Sequence, residues 1–206
     1  MNEIISTEVI VLKKTLYKES SLIISTISPD LGKIDFVIKG AYQITKTKQP
    51  IVDLFRILDV EYKENNSGLY SPTTIELQKD YDSIALRPNQ LSHILVFTKF
   101  LLKNIHPHVP CVRVYAAFNN LLQNTIDDQF NIYSINLVKL VYLHENGLLP
   151  DILSTSGHDE NRYQNFLNKI INYAEGKVNI IPQANTEYWV EFNKWVRNLC
   201  HYQELE

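Results

Sequence analysis

Hydrophobic positions along this chain change their period once. Through about residue 78 they tend to alternate, and from about residue 80 they recur every three or four residues. "TEVIVLKK" and "SLIISTIS" are rich in β-branched residues and predict two strands. In "GKIDFVIKG", Ile34, Phe36 and Ile38 alternate with Asp35, Val37 and Lys39, and Gly40 follows. "SPDLGK" joins the second and third strands as a turn, with Pro29 setting φ and Gly32 free to take positive φ. "IVDLFRILDVEY" divides into Val52, Leu54, Arg56, Leu58, Val60 and Tyr62 against Asp53, Phe55, Ile57, Asp59 and Glu61. Both sets are mixed, so pattern alone leaves the inner face of this fourth strand undecided. A turn at "ENNSG" then leads into a fifth strand, "LYSPTTIEL". About five short strands with tight turns fit a small closed barrel of the OB or SH3-like kind, since closure removes exposed edges.

The second half predicts about five helices. The first begins at Pro88–Asn89 and lines up Leu91, Ile94, Leu95, Thr98, Leu101, Leu102 and Ile105 on one face. "HPHVP" ends it. Further helices are expected over about 111–124, over "NIYSINLVKLVYLHENG" with Gly147 after its end, over about 159–175 before Gly176, and from about 185. In the last one Tyr188, Phe192, Trp195, Val196 and Leu199 share a face. The expected organisation is therefore α+β, with a barrel domain over 1–79 and a helical bundle over 80–206. No flexible linker separates them, so the two are expected to pack together.

Composition adds boundaries to this picture. Of 206 residues, 45% are hydrophobic and 21% charged, enough apolar material for a core. The net charge of −3 gives no general attraction to anions, so any anion site must be a local concentration of cations. Two cysteines, Cys111 and Cys200, form neither a disulfide framework nor a zinc site and suit buried thiols in a reducing compartment. "MNEIISTEVIVLKK" lacks the form of a signal peptide, and no stretch is long and apolar enough for a membrane span. A cytoplasmic protein with no membrane partner is expected.

Catalytic constellations are scarce. "SGHDE", Ser156 to Glu160, sets triad-type residues side by side, but adjacent side chains do not align in series, and Asp159 suits a helix N-cap. His106 and His108 lack a third metal ligand in sequence reach. There is no phosphate-binding loop and no dinucleotide fingerprint. The expectation is a protein that is not an enzyme and holds neither metal nor cofactor. Lysines are more informative. Lys13, Lys14 and Lys18 follow the first strand, and Gly32 to Pro50 holds Lys33, Lys39, Lys46 and Lys48 against one acid, Asp35. Tyr17 and Tyr42 lie among them. Lysines neutralise phosphates without regard to sequence, and an aromatic ring stacks on a base. The same lysines also suit a solvated face or edge protection.

"EVIVLKKTLYKESSLIISTISPDLGKIDFVIKGAYQ", Glu8 to Gln43, resembles the N-terminal domain of RecO, the bacterial recombination mediator family. The matching positions are Glu8, Val11, Leu12, Tyr17, Glu19, Ser20, Gly32, Lys33, Lys39, Gly40 and Ala41. "VKLVYLHENGLLPD" is similar to a later segment of that family. The resemblance implies a five-stranded OB-fold barrel followed by a helical domain. It implies DNA repair and recombination: binding of single- and double-stranded DNA, annealing of complementary strands, and loading of RecA on strands coated by single-stranded DNA-binding protein. It implies RecR and the C-terminal tail of single-stranded DNA-binding protein as partners, in the bacterial cytoplasm near the nucleoid. On this reading Lys13, Lys14, Lys33, Lys39, Tyr42, Lys46 and Lys48 form the DNA site. Lys99, Lys103, Arg113, Lys139 and Lys169 are candidates to receive a protein partner. Two departures stand out. Tyr42 and Gln43 occupy positions where the family often has two arginines, and "PDILSTSGHDE" lacks the cysteines with which many members bind zinc. The first departure motivates an alternative, an interaction module of the same fold with weak DNA contact, acting mainly through RecR or that tail.

Overall fold

The computed structural model describes residues 4–41, 51–65, 67–131, 133–150 and 158–205. The chain forms two compact units, Met1–Val112 and Arg113–Glu206. The change of period near residue 80 thus marks a change of element type, whereas the compact units divide some thirty residues later.

The first unit contains β1 (Ile4–Tyr17), β2 (Ser21–Ser28), β3 (Gly32–Ile38), β4 (Ile57–Lys63), β5 (Leu69–Tyr70) and β6 (Pro72–Lys79). A short 3₁₀ helix (Asp82–Leu86) and α1 (Pro88–Asn104) follow. Hydrogen bonding orders the strands β5-β3-β2-β1-β4-β6. Only Ser71 separates the outermost two, so one short segment pairs parallel to β3 and then antiparallel to β4. The sheet thereby curls back on itself with OB-type connectivity. Five strands are expected and the described residues form six, because the fifth divides at Ser71–Pro72, where proline has no N–H for the ladder.

Residues paired directly across a ladder share a face. Val9 and Val11 of β1, Ile24 of β2, Ile34 and Phe36 of β3, and Leu58, Val60 and Tyr62 of β4 are buried together in the barrel core. Phe36 meets Tyr62 edge-on with ring centroids 5.3 Å apart, and Tyr70 lies 4.7 Å from Tyr62. The fourth strand's ambiguity is thus resolved: Leu58, Val60 and Tyr62 point inward. Alternation fails just before it. Phe55 adopts a left-handed φ of 63°. Its N–H donates to the Val11 carbonyl (2.8 Å), and the Arg56 carbonyl accepts from Val11 N–H (3.1 Å). The Arg56 side chain is buried and forks onto Asp82, with Nε to Oδ1 at 3.0 Å and a second bond to Oδ2 at 2.5 Å. An arginine in a hydrophobic run is here a tie to the 3₁₀ helix.

Ile10, Leu12, Ile27 and Ile57 lie on the opposite face of the sheet and are also buried. Helix α1 packs on β1. Its buried stripe is Ile94, Phe97, Thr98, Phe100, Leu101 and Asn104. That stripe is rotated from the expected one, leaving Leu95 36% exposed. The two phenylalanines stack at 5.6 Å, and their larger apolar area decides which face turns inward.

"HPHVPC" then straps across the β2–β3 turn. Lys33 N–H donates to the His106 carbonyl (3.2 Å), His108 N–H to Leu31 (2.8 Å) and Cys111 N–H to Pro29 (2.8 Å). The buried Cys111 thiol donates to the Ser28 carbonyl at 3.2 Å. Gly32 has φ +65°, and a Cβ there would lie 2.3 Å from the carbonyl oxygens of both His106 and Val109. The glycine is needed for this backbone approach as well as for the turn.

The second unit holds α2 (Val112–Ile126), α3 (Ser134–Glu145), α4 (His158–Ala174) and α5 (Thr186–Tyr202). Helix α3 packs against α4 and α5. Asp159 lies inside the first turn of α4 rather than ahead of it, so it is not the N-cap that the sequence suggests. The N-terminus of α2 is capped from a distance: Glu145 accepts from Arg113 N–H and Val114 N–H, both at 2.9 Å. Charge-assisted bonds of this kind contribute on the order of 1.5–3 kcal/mol. Beside them Arg113 donates through Nε to the buried Glu175 (2.5 Å) and through a terminal nitrogen to His144 Nδ1 (2.7 Å). A guanidinium only donates, so this geometry requires a neutral Nδ1 acceptor. Burial, and then the Arg113 charge, hold the imidazole below its ordinary 6.5, with Glu175 and Glu145 offsetting this only in part.

Two predictions follow from these contacts. Gly32→Ala should lower stability by on the order of 3–5 kcal/mol, since it adds a backbone clash to a left-handed φ. Gly68→Ala, with a similar φ of +69° but nothing within 4 Å, should cost only about 1–2 kcal/mol. Urea unfolding of both variants measures the difference, and equal losses would refute the clash. For His144, the unfolded chain takes up a proton before the folded one as pH falls through about 6.5. Stability of the second unit therefore rises with pH across that window and is lost on acidification below it. Melting curves between about pH 5 and 7.5 should show this loss, and His144→Gln should diminish it.

Candidate nucleic-acid interface

The proposed DNA-binding residues are placed by one irregularity in β1. Its first half, Ile4 to Ile10, pairs with β4, and its second half, Ile10 to Tyr17, pairs with β2. At the changeover the register shifts between Val11 and Lys13. Before this bulge odd-numbered residues face the core. After it Lys13 pairs with Ser25 and Lys14 with Ile24, so the parity reverses. Lys13 therefore joins the outer face, with Thr15 and Tyr17.

On β3 the outer residues are Lys33, Asp35 and Val37, paired with Ile27, Ser25 and Ile23. Lys39, exposed just past the end of β3, continues their parity. Lys13, Lys33 and Lys39 thus share the outer face of β1–β2–β3. Lys18, exposed at the tip of the β1–β2 hairpin, lies 5.2 Å from the Tyr17 ring centre, within cation–π range. Lys14 is not part of this face. It forms an ion pair with Asp53. Burial opposes the Asp53 charge, but hydrogen bonds from Lys14 and from Leu54 N–H (2.6 Å), with the charges of Lys14 and Arg56, outweigh it and hold the carboxyl below its ordinary value. A lysine so neutralised contributes little to phosphate attraction. Tyr42, Lys46 and Lys48 lie outside the described residues.

Acids are distributed unequally over the barrel. One, Asp35, sits in the basic stripe, level with Lys13 across Ser25. Three more form a row on the other half of the outer face, where Glu8 pairs with Asp59 and Asp59 with Glu76. Like charges directly opposite are unfavourable in a sheet, and Gln78 relieves one of them by donating to Asp59 at 2.6 Å. Glu61 adds to the acidic half, and the exposed Lys63 and Lys79 offset part of it, so the outer surface is net basic over β1–β2–β3 and net acidic over β4–β6. Neither Asp53 nor the acidic row could be read from the sequence, because both depend on strand register; the consecutive apolar run Val9–Leu12 was the only local hint of an irregular, doubly buried strand.

The candidate partner-binding cations do not form one set. Lys99 and Lys103 stand on α1 in the first unit, and Arg113, Lys139 and Lys169 belong to the second. Arg113 is occupied by Glu175 and His144. Lys99, Lys103 and Lys169 are exposed, and Lys139 is half-buried. No helix among the described residues is long and apolar enough to cross a membrane.

No curated protein matches this chain. Residues 1–81 match the family model for the Recombination protein O N-terminal domain. That span ends at Tyr81, just after β6, and so covers the whole strand circuit. The curled sheet with OB-type pairing and the match over its full length agree: residues 1–81 are similar to the N-terminal, OB-fold domain of the RecO family.

Proposed function

We propose that this protein acts in DNA repair and recombination by binding DNA on the outer β1–β2–β3 face of its barrel. The observation that carries the reading is the polarity of that barrel: Lys13, Lys33 and Lys39 on one half of the outer face, Glu8, Asp59 and Glu76 on the other. An OB-fold uses the face of its second and third strands for oligonucleotides, and here that face is the basic one. A protein of net charge −3 needs such a segregation to attract phosphates at all. The likeness of residues 1–81 to the RecO N-terminal domain supports annealing of complementary strands and loading of RecA on coated strands as the activities this contact would serve. RecR and the tail of single-stranded DNA-binding protein are the proposed protein partners. The work is done by binding in the bacterial cytoplasm, with no covalent chemistry. A second reading, an interaction module with weak DNA contact, is favoured by Asp35 within the basic stripe and by the pairing of Lys14 with Asp53.

Salt dependence separates the two readings. Anisotropy of a labelled single strand should show affinity falling steeply between about 50 and 200 mM salt. Replacing Lys13, Lys33 and Lys39 together by Ala should reduce the slope of log K against log salt by about 2, at roughly 0.7 per phosphate contact. Lys14→Ala should change that slope by much less than one contact. A triple variant with an unchanged slope would move the site off this face. Failure of the wild-type protein to bind at micromolar concentration in low salt, with calorimetric binding of a tail peptide, would favour the module.

A further inference from the structure

A cavity of about 110 Å³ opens beside β3, walled by Leu31, Ile34, Tyr62 and Tyr70, with Lys33, Asp35 and His108 as its polar members. Asp35 carries a feature the fold does not explain. Its Oδ1 is buried and has no hydrogen-bond partner. A buried acceptor left unsatisfied is a cost to stability, and in native proteins such a group is met by a water, an ion or a ligand. The wall beside it is held in an unfavourable backbone state, since His108 has φ +61° and is pinned by its N–H bond to Leu31. Strain of this kind persists where the surroundings over-determine it.

What fits is set by size and by donor pattern. An apolar cavity of about 150 Å³ admits benzene, so this one takes the edge of a single planar ring and leaves the remainder outside. The tyrosine and aliphatic walls suit a flat aromatic body, and a carboxylate accepts two parallel N–H bonds. Among nucleobases, guanine presents two adjacent donors, N1–H and the N2 amino group, on its pairing edge. Adenine and cytosine offer one amino group, and thymine flanks its single N–H with two carbonyls that a carboxylate repels. Lys33 links this cavity to the basic stripe, so a strand held on that stripe has a base within reach of it.

We propose that this cavity is a base-reading site, in which the Asp35 carboxylate takes the pairing edge of one unstacked guanine from a bound single strand. The proposal rests on the DNA-binding reading above and adds a base preference that the lysines cannot supply. The full-length protein is tested against two labelled strands of about 16 nucleotides, one all thymine and one with a single central guanine. The guanine strand should bind about tenfold more tightly. Asp35→Asn should remove that preference while binding the thymine strand at least as tightly, since it takes an acid out of the basic stripe, and retained binding also reports an intact fold. Its melting temperature should be unchanged or higher, because no hydrogen bond of Oδ1 is lost. Equal affinities in the wild type, a preference that survives Asp35→Asn, or equal loss of both strands in the variant would overturn the site. If neither strand binds, the DNA-binding reading falls, and saturation-transfer NMR decides the cavity separately. Transfer to deoxyguanosine monophosphate but not to thymidine monophosphate, abolished by Asp35→Asn, supports it, and any other pattern overturns it.

Discussion

The barrel's chemistry depends on one shifted residue in β1. That strand serves two partners, and Ile10 pairs with both Ile27 and Ile57. A regular strand passing from β4 to β2 would keep odd-numbered residues inward and set Lys13 on the face of Val9 and Val11; the bulge sets Lys14 there instead, beside Ile24, where Asp53 pairs with its ammonium. An unpaired ammonium on that face is prohibitive, whereas a bulge costs a ladder bond and adds twist. The fold takes the bulge, and the Phe55–Arg56 backbone closes the gap by bonding both polar groups of Val11. Closure of the sheet and placement of the cation on its outside are therefore the same event.

Each unit shows this use of local irregularity to satisfy a global requirement. In the first, the strap at residues 106–111 covers the β2–β3 turn through four bonds to Ser28, Pro29, Leu31 and Lys33, and only glycine at position 32 lets the backbones meet. In the second, the capping acid of α2 comes from the end of α3, and the same neighbourhood buries Glu175 against Arg113 and Lys177. Charges buried in this way are structural. Glu175 Oε2, like Asp35 Oδ1, makes no hydrogen bond, but the Lys177 ammonium pairs with it, whereas no cation among the described residues pairs with Asp35. That contrast separates a carboxylate held by ion pairs from one without any.

Much of the architecture was legible in the sequence, for a physical reason. Strand and helix periods are local, and so are the turn residues that interrupt them, so the elements from β1 to α5 fall near their expected places. The fifth strand's division at Pro72 was local too, and the missing N–H was there to be read. Faces were less legible. Ile34, Phe36 and Ile38 alternate regularly and do face inward, but β4 mixes charge into both sets, and its orientation follows from what β1 and β6 present across the ladder. The α1 stripe was misjudged because Leu95 and Phe97 compete for one surface and only packing decides between them. Site residues were least legible. Lys13 and Lys14 are neighbours of the same type, and a register shift makes one a free outer cation and the other half of an ion pair.

Polarity of the barrel also bears on how an acidic protein meets a polyanion. A uniform charge of −3 would repel DNA from every side. On the proposed DNA-binding reading, segregating Glu8, Asp59 and Glu76 from Lys13, Lys33 and Lys39 across one sheet turns repulsion into orientation, since approach to the β1–β2–β3 face brings those lysines to the phosphates first. The acidic row carries its own internal cost, because like charges sit opposite one another in the ladder. Selection for stability alone would remove it, by converting Asp59 to a neutral residue. Its presence is accounted for if the wrong face must repel as firmly as the right one attracts, which is how a weakly charged surface achieves one docking geometry instead of many.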